Sequence, residues 1–262
     1  MFEPRLIMDG LRTKHIKPRI RHFSKLDSTN ETTKKAALDD GRPGLLVIAD
    51  EQMAGKGRMN RTWVSPPGGL YFSLFLESPL EGTPAPILGM LVACGVTEAI
   101  RQVTGIDPSI KWPNDIIIDG KKAGGILCEA VSRDNVTRKV VIGVGINLNT
   151  PISSFSARFR YPATSLIEVT GREVSREELL RSILLSVDKR IGIVKENQSY
   201  NDTIEEWKWI NNILGYPVVV DTGNERIEGT AIDIREDGAL IVETGPDSHK
   251  PITIGDVTRV TL

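Results

Sequence analysis

The pattern of the sequence changes at Gly215, and this change is the strongest constraint on the fold. Before it, apolar runs of strand length alternate with longer helical segments. After it, short β-rich runs follow one another, separated by the turn pairs Gly223-Asn224 and Asp237-Gly238. An Asp-Gly pair between two such runs is a strong hairpin signal. We therefore predict a mixed α+β domain at residues 1–214 and a small β-barrel domain at residues 215–262.

Four helices are predicted in the first domain from capping residues and apolar spacing. Ser28-Thr29-Asn30-Glu31 is a capping-box pattern, in which the hydroxyl and the carboxylate cap free backbone N–H groups. Ser175-Arg176-Glu177-Glu178 repeats the pattern ahead of a long amphipathic segment. A glycine just beyond the last turn commonly ends a helix. The predicted helices run from Ser28 to Gly41, from Ala85 to Gly105, from Ser175 to about Lys195 and from Thr203 to Gly215.

Runs of apolar, β-branched and aromatic residues predict the strands of a mixed sheet in this domain. One of them contains Trp112-Pro113, and it should be extended because proline disfavours helical conformation in the residue before it. The last two are expected to pair through a polar turn at residues 133–135. The predicted strand segments are 44–51, 68–78, 109–119, 120–132 and 139–149.

The composition excludes several classes of protein. The net charge is -1, so no overall field attracts nucleic acid or an anionic membrane. The longest uncharged stretches, residues 82–97 and 140–157, are too short or too rich in Gly, Pro, Asn and Ser to cross a membrane. The first residues lack the features of a secretory signal, so we expect a cytoplasmic protein. The two cysteines and three scattered histidines predict no metal site made by protein side chains.

The segment GKGRMNRTW, residues 55–63, places three cations among two glycines directly after an apolar strand. The glycines allow backbone N–H groups to approach a ligand, and such groups can form an anion-binding concavity. Arg58 and Arg61 carry planar donor forks that match a carboxylate or a phosphate, and Lys56 adds a point charge. Trp63 adds a flat face for a ring. The alternative is a glycine-rich surface turn with solvated charges.

Three further segments carry residues suited to an anionic ligand. In KWPND, Lys111 lies on a stiff extended segment, and Asn114 and Asp115 follow it. In GKKAGGILCEA, Gly124 and the next glycine leave a flat strand surface, with Lys122 near its start. In VIGVGINLN, two glycines alternate with apolar residues ahead of Asn147. Each segment alone also fits an ordinary strand or a core crossing.

Taken together, these segments resemble the biotin–protein ligase family. LDSTNETTK, DEQMAGKGRMNRTWVSPPGGLYFSLFL, IKWPNDI, KKAGGILCE and VIGVGINLN follow one another in the order and spacing of that family. The resemblance runs from about Phe23 to Leu262 and includes GTAIDIREDGALIV in the C-terminal domain. It implies an α+β catalytic domain with a mixed sheet, followed by an SH3-like domain. It also implies the activity of a biotin–[acetyl-CoA-carboxylase] ligase.

The resemblance implies a reaction and a set of ligands. Such enzymes join biotin and ATP, with Mg²⁺, into biotinyl-5′-AMP, and then transfer biotin to one lysine of a biotin carboxyl carrier protein. Arg58, Lys111 and Asp115 are the implied catalytic residues, with Asp115 helping to accept the incoming lysine. The implied biotin-binding residues are Ser28, Thr29, Asn30, Gln52, Gly55, Lys56, Gly57, Arg58, Lys111 and Gly124, of which the first four hold the ureido end. The implied ATP-binding residues are Lys56, Arg61, Trp63, Asn114, Lys122 and Asn147, with Trp63 facing the adenine.

Two departures from the family pattern qualify this interpretation. Lys56 stands where many relatives carry a second arginine, which keeps the charge but loses the bidentate geometry. Only about twenty residues precede the catalytic domain, which by the resemblance starts near Phe23, and these are too few for the winged helix-turn-helix of the relatives that act as repressors. We therefore expect a monofunctional ligase that binds no operator DNA. A homodimer formed through strand pairing is an expectation by analogy.

Other functions remain open from the sequence. A lipoate–protein ligase or octanoyltransferase shares the catalytic fold and a lysine at the acyl carboxylate. A non-catalytic biotin or nucleotide sensor would bind ligand without releasing pyrophosphate. Nucleic-acid binding by the basic loop alone is the weakest candidate, because the net charge is near zero.

Overall fold

The fold contains two β-sheets, one in each predicted domain. The computed structural model describes residues 2–131, 139–155 and 161–259. The first sheet has seven strands in the order β1-β2-β3-β7-β6-β5-β4. The strands of the first sheet are β1 (Arg19–Leu26), β2 (Leu45–Gln52), β3 (Leu70–Glu77), β4 (Ser109–Lys111), β5 (Asp115–Ile118), β6 (Lys121–Ala130) and β7 (Lys139–Ile146).

The first sheet is mixed, as predicted. β1 and β2 run parallel, and the other neighbouring pairs are antiparallel. The expected pairing of the last two predicted strands is confirmed, with Gly125 of β6 opposite Gly145 of β7. The turn predicted at residues 133–135 lies outside the described residues. β1 was not predicted as a strand with defined limits, because RIRHFSKL has too few apolar residues to stand out.

Six α-helices accompany the strands in the part of the chain that the structure describes. The helices are α1 (Pro4–Met8), α2 (Thr29–Asp40), α3 (Ala85–Thr104), α4 (Leu166–Thr170), α5 (Arg176–Asn197) and α6 (Asn201–Ile210). The predicted stops of α2 and α3 are confirmed, since Gly41 and Gly105 both adopt the left-handed conformation. α1 and α4 are short helices that periodicity did not reveal.

α3 forms the centre of the core, as its apolar composition indicated. Most of its residues are buried, among them Met90, Ala93 and Val96. It is the one helix of the described ranges that is long and apolar enough to cross a membrane, and 67% of that apolar window is buried within the fold. The apolar surface of α3 is therefore largely used for packing against the sheet and against α5.

α5 ties the N-terminal segment to the core through one carboxylate. Asp188 is 7% exposed and accepts backbone N–H groups from Lys14 at 2.9 Å, His15 at 2.7 Å and Ile16 at 2.6 Å. The side chain of Ile16 is buried beside these bonds. Such a carboxylate leaves three unpaired donors behind if it is removed. Asp188 therefore holds the segment before β1 in place.

α6 ends earlier than predicted, and the prediction that it continues to Gly215 is wrong. The helix stops at Ile210, and Asn211 is extended with φ -69° and ψ 146°. Asn211 forms a parallel bridge with Ile110, and the next residue, Asn212, donates its N–H to Ile110 O at 3.0 Å. Pairing with β4 therefore outweighs the local helical preference of this segment.

The predicted β domain is confirmed as a five-stranded antiparallel sheet in the order β11-β10-β9-β8-β12. Its hairpin at Asp237-Gly238 joins β9 to β10, with Gly238 at φ 86°. Trp112 of the first domain is 1% exposed and donates its indole N–H to Gly238 O at 3.0 Å. The hairpin therefore packs directly against the KWPND segment. The strands are β8 (Pro217–Asp221), β9 (Arg226–Ile234), β10 (Leu240–Gly245), β11 (Ser248–Ile252) and β12 (Asp256–Arg259).

The role of Asp188 can be tested by removing its carboxylate. Asp188→Ala should lower the free energy of unfolding by about 2–4 kcal/mol, because three backbone donors lose a charged acceptor in a buried setting. Urea unfolding followed by circular dichroism measures the change. Asp202→Ala, at an exposed carboxylate on α6 that accepts from Asn197, is the control and should stay within about 0.5 kcal/mol of the wild type. Equal effects for the two variants would contradict the assignment.

Candidate active site

A cavity of about 300 Å³ lies over β6 and β7 of the first sheet, beside the starts of α2 and β5. It has an uncharged polar end at the start of α2 and a cationic end at the KWPND segment. Residues of the 53–63 loop and of β12 cover it. The lining includes fourteen of the sixteen predicted site residues: Ser28, Thr29, Asn30, Gln52, Lys56, Gly57, Arg58, Arg61, Trp63, Lys111, Asn114, Asp115, Lys122 and Asn147.

The uncharged end is built on the N-terminus of α2. Ser28 caps the helix by accepting the Glu31 N–H at 3.5 Å, while the Glu31 carboxylate turns outward instead of completing the capping box. Gln52 Oε1 accepts the Thr29 N–H at 2.8 Å and lies 3.1 Å from Thr29 Oγ1. Thr29 and Asn30 are each 4% exposed. These residues form a rigid set of neutral donors and acceptors.

Glycines of β6 and β7 give this cavity a floor of bare backbone. A Cβ atom on Gly143 would lie 2.0 Å from Asn30 Oδ1, and one on Gly145 would lie 2.4 Å from Trp63 Nε1. Across from Gly145, a Cβ atom on Gly125 would lie 3.6 Å from the Trp63 ring. The indole of Trp63 therefore rests on the strand backbone. The alternation of glycines in VIGVGINLN makes room for these two side chains.

The cationic end centres on one buried carboxylate. Asp115 is 8% exposed, and its oxygens lie 2.5 Å from Lys122 Nζ and 3.6 Å from Lys111 Nζ. The Lys111 ammonium also lies 4.2 Å from the centre of the Tyr161 ring, a cation–π distance. Lys122 lies 5.3 Å from the Trp63 ring centre. Two ammonium groups are therefore held close together at the end of β4 and the start of β6.

The 53–63 loop brings two arginines to the same end and fixes them on the C-terminal domain. Arg58 Nη1 lies 3.5 Å from Asn114 Oδ1 and 3.3 Å from Gly255 O. Arg61 forms an ion pair with Asp256. Burial lowers the pKa of the Arg58 guanidinium, and the carboxylates of Asp256 and Asp115 oppose that shift. The C-terminal domain therefore supplies part of the cavity wall and part of the charge balance.

Lys56, the third cation of the loop, has a partner at the rim of the cavity. Its Nζ lies 2.8 Å from Glu31 Oε1, and both side chains are about half exposed. The hydrogen bond from Lys56 lowers the pKa of Glu31. An exposed pair of this kind contributes only about 0–1 kcal/mol, so an anionic ligand can compete for Lys56.

Two predicted residues, Gly55 and Gly124, lie behind the cavity and do not line it. A Cβ atom on Gly55 would meet Trp63 O at 2.3 Å, and one on Gly124 would meet Gly145 O at 2.9 Å. Both glycines permit close packing of backbone, whereas Gly125 faces the cavity. The backbone N–H of Gly57, expected to help form an anion-binding concavity, instead donates to Arg61 O at 2.7 Å. Met59 and Asn60, with φ 54° and 57°, take the left-handed conformations instead.

Sequence reasoning missed three parts of the site. Asp256 and Val257 of β12 line the cavity, but nothing local in GDVTR signals a ligand. Tyr161 lies beside Lys111, and it follows a segment without strong periodicity. Ser73, 0% exposed within β3, contacts both Thr29 and Asn30, and a polar residue in the middle of YFSLF was the available signal.

The arrangement can bind a molecule with a neutral polar head and an acidic tail beside a phosphate ester. In the described ranges, no group of three His, Cys, Asp or Glu side chains could hold a metal ion. Cys94 and Cys128 are free thiols, and burial raises the pKa of the Cys128 thiol to about 12, as expected for packing residues. The geometry therefore defines an α+β domain with an enclosed ligand-binding cavity.

Comparisons with known proteins agree with this class. A profile of the biotin/lipoate A/B protein ligase family matches residues 23–147, and one of the biotin protein ligase C terminal domain matches residues 213–259. The bifunctional ligase/repressor BirA of Bacillus subtilis (strain 168) is 35% identical over 244 residues, which cover 92% of this chain and 74% of that protein. The chain belongs to the biotin protein ligase family.

Two further relatives have nearly the length of this chain. The biotin–[acetyl-CoA-carboxylase] ligase of Paracoccus denitrificans is 30% identical over 242 residues, which cover 90% of this chain and 98% of that protein. The structure of a biotin protein ligase from Aquifex aeolicus in complex with biotin and ATP superposes with a TM-score of 0.80 at 29% identity. That match covers 94% of this chain and all of the Aquifex chain. The likeness includes both sheets.

The attachment of the loop to the C-terminal domain can be tested by limited proteolysis. Asp256→Ala removes the partner of Arg61, so trypsin should cleave the 53–63 loop about fivefold faster, as expected for an ion pair of about 1 kcal/mol. Mass spectrometry of the early fragments measures the rate of cleavage at Lys56, Arg58 and Arg61. The control is Asp237→Ala, which removes an Arg–Asp pair within the β9–β10 hairpin. Equal cleavage of the loop in both variants would refute the contact.

Proposed function

We propose that this chain is a biotin–[acetyl-CoA-carboxylase] ligase. In the first step, a carboxylate oxygen of biotin attacks the α-phosphorus of ATP and pyrophosphate leaves, which gives biotinyl-5′-AMP. In the second step, the amine of a carrier lysine attacks the acyl carbon, forming an amide and releasing AMP. The chain's membership of the biotin protein ligases and its nearly full-length match to the Paracoccus enzyme support this assignment.

The proposal depends mainly on one observation, that Arg58 and Lys111 line the same cavity. Arg58 lies beside Asn114, and Lys111 lies beside Asp115. A carboxylate and a triphosphate repel each other, so their reaction needs cations between them. Charge that develops on the oxygens around phosphorus is stabilised best by donors already in place. Both cations are held by contacts within the protein, to Gly255 for Arg58 and to Asp115 for Lys111. Arg58 and Lys111 can therefore stabilise the transition state without first moving into place.

The roles at the neutral end follow from its hydrogen-bonding groups. Ser28, Thr29, Asn30 and Gln52 hold the ureido ring of biotin, which has two N–H donors and one carbonyl acceptor. The valeryl chain extends along the bare backbone of β6 and β7 toward Lys111. The carboxylate then lies beside the Lys111 ammonium.

The roles at the cationic end follow from charge and shape. Trp63 faces the adenine, and Lys122 and Arg61 contact phosphate oxygens. Lys56 leaves Glu31 to join them when an anion binds. Asn147, whose amide donates to Thr164 O at 3.0 Å, borders the nucleotide pocket. Asp115, which lies beside the ammonium groups of Lys111 and Lys122, helps to accept the incoming lysine.

Mg²⁺ fits this site as a companion of the nucleotide. The ion prefers oxygen ligands and is commonly held by phosphates and water with one or two protein groups. Asn114 and Asp115 are the oxygen donors of this chain suited to reach it or its water shell. When bound, the ion neutralises charge on the leaving pyrophosphate.

No covalent enzyme intermediate is needed, because the mixed anhydride is itself the activated acyl group. Water can hydrolyse this anhydride before the acyl group is transferred. The 53–63 loop covers the cavity and is held on the opposite side by Gly255 and Asp256. A loop fixed in this way keeps water from the adenylate until the carrier arrives.

The activity can be tested with biotin, ATP and Mg²⁺ in the absence of carrier. The wild type should release pyrophosphate, and Arg58→Ala and Lys111→Ala should each reduce kcat/KM for adenylation by about 10²–10³, since each removes a donor at the reacting phosphate. Lys250→Ala, on β11 and outside the cavity lining, is the control and should be unaffected. Pyrophosphate release with lipoate in place of biotin would identify the alternative, a lipoate–protein ligase. Binding of biotin without pyrophosphate would identify a sensor and refute the proposal.

The expected partner in the second step is a biotin carboxyl carrier protein, whose lysine should gain the mass of biotin in the complete reaction. Cytoplasmic location and a homodimer remain part of the proposal. Binding of DNA is not expected, because the exposed cations Arg12, Lys14, Lys17 and Arg21 are interspersed with apolar residues that pack inward.

The absence of DNA binding can be measured by a gel shift with a short duplex at physiological salt. No retention of the duplex is expected up to micromolar protein, since few phosphate contacts are available and their contribution falls steeply with salt. The same assay with biotin and ATP added tests for ligand-dependent binding. A shifted band that survives competitor DNA would contradict the expectation.

A further inference from the structure

The Lys111 ammonium lies against an aromatic ring that was not predicted as part of the site. Its Nζ is 4.2 Å from the centre of the Tyr161 ring, and the Lys111 side chain is 16% exposed. Both residues line the cavity. Lys111 is the last residue of β4, whereas Tyr161 belongs to the segment ahead of α4. The ring therefore covers one side of the cation that the proposed function places beside the acid group of the ligand.

Asp115 by itself holds the Lys111 ammonium only loosely. Its Oδ1 lies 2.5 Å from Lys122 Nζ, but its Oδ2 lies 3.6 Å from Lys111 Nζ, which is too far for a good hydrogen bond. The neighbouring Lys122 ammonium also repels Lys111. Because a lysine side chain is long and flexible, a further contact is needed to keep this ammonium in one place.

An aromatic ring can provide that contact without cancelling the charge of the lysine. The face of a ring attracts a cation through its quadrupole and carries no net charge. A second carboxylate at this place would also hold Lys111, but it would repel an anionic ligand. An ammonium group has three N–H donors. At least one donor therefore remains for a ligand oxygen when the Tyr161 ring and Asp115 each engage one.

We propose that Tyr161 is a positioning residue that holds the Lys111 ammonium in place for the carboxylate of the ligand. The inference rests on the proposed function, since biotin supplies that carboxylate. Without the ring, the Lys111 side chain would be ordered only when the ligand binds. Ordering a long side chain on binding weakens affinity by roughly two- to tenfold. Tyr161 removes this cost in advance and leaves the full positive charge of Lys111 available.

Tyr161→Leu tests the proposal with two ligands that differ only at the acid group. The variant keeps an apolar side chain but loses the ring. The Kd for biotin should rise about fivefold, because Lys111 must then be ordered on binding. Biotinamide, which carries a neutral amide in place of the carboxylate, should lose less than about twofold. Titration calorimetry without ATP measures both ligands, so contacts between Tyr161 and the nucleotide do not enter the comparison.

Three further variants separate positioning from a general structural effect. Tyr161→Phe keeps the ring face and should bind biotin within about twofold of the wild type. In a chain that already carries Lys111→Met, adding Tyr161→Leu should change the Kd for biotin by less than about twofold. Tyr216→Leu, at a tyrosine that is 42% exposed and outside the cavity lining, is the matched control and should be unaffected. Circular dichroism checks the folding of each variant.

The outcomes are distinguishable. If the wild type binds biotin but Tyr161→Leu weakens biotin and biotinamide equally, or weakens neither, the inference is overturned and the proposed function is not. A loss in Tyr161→Phe as large as that in Tyr161→Leu would also overturn it, since the hydroxyl would then be the group that matters. So would a full effect of Tyr161→Leu in the absence of the Lys111 ammonium. A wild-type chain that does not bind biotin refutes the proposed function and, with it, the inference.

Discussion

The site depends on holding several cations together in a small space without a ligand. Lys111, Lys122 and Arg58 would repel one another at this distance if nothing compensated their charge. Asp115 lies between the two lysines, and Asp256 balances the loop arginines from the other domain. The cations are therefore kept in place before an anion arrives. When an anionic ligand binds, its attraction to the three cations outweighs their remaining mutual repulsion. A site whose charges are already in place before the ligand arrives is preorganised.

The site also requires space for the ligand. The sheet provides this space because glycines on β6 and β7 have no side chain. Glycines on β6 and β7 let Asn30 and the Trp63 ring approach the backbone more closely than any Cβ would allow. The same strands are otherwise apolar and buried, so the sheet stays rigid beneath the cavity. A firm floor matters because the ligand's two ends must be held at a fixed separation for the acid to meet the phosphorus.

Much of this structure could be predicted from the sequence, and the exceptions have physical reasons. Strand runs and glycine stops indicated α2, α3, β2, β3, β6 and β7 because apolar periodicity and left-handed caps are local properties. Residues 109–119, predicted as one extended strand, instead turn back at residues 112–114, so that β4 and β5 pair with each other. The end of α6 could not be predicted, because it is decided by pairing of Asn211 with Ile110, about a hundred residues away. α1 and α4 have five residues each, too few for a periodic pattern.

The residues of the candidate site were likewise predicted only in part. Residues in glycine-bearing or stiff motifs, such as Arg58 and Lys111, were predicted because those motifs have a recognisable composition. Asp256 and Tyr161 were missed because each acts only through a partner distant in sequence. Gly55 was predicted for its backbone freedom, yet the structure uses its lack of volume, because a Cβ atom there would meet Trp63 O. The composition of the motifs therefore predicted the position of the ligand site, but it did not predict how the backbone makes room for the ligand.

The presence of Asp256 and Val257 in the cavity wall has a thermodynamic consequence for the whole chain. A molecule bound there touches both sheets, so its binding free energy opposes their separation as well as the unfolding of either one. By mass action, a ligand at a hundred times its Kd adds about 2.7 kcal/mol to the stability of the liganded form. Melting of the C-terminal sheet should therefore report on occupancy of a pocket built mainly by the other domain.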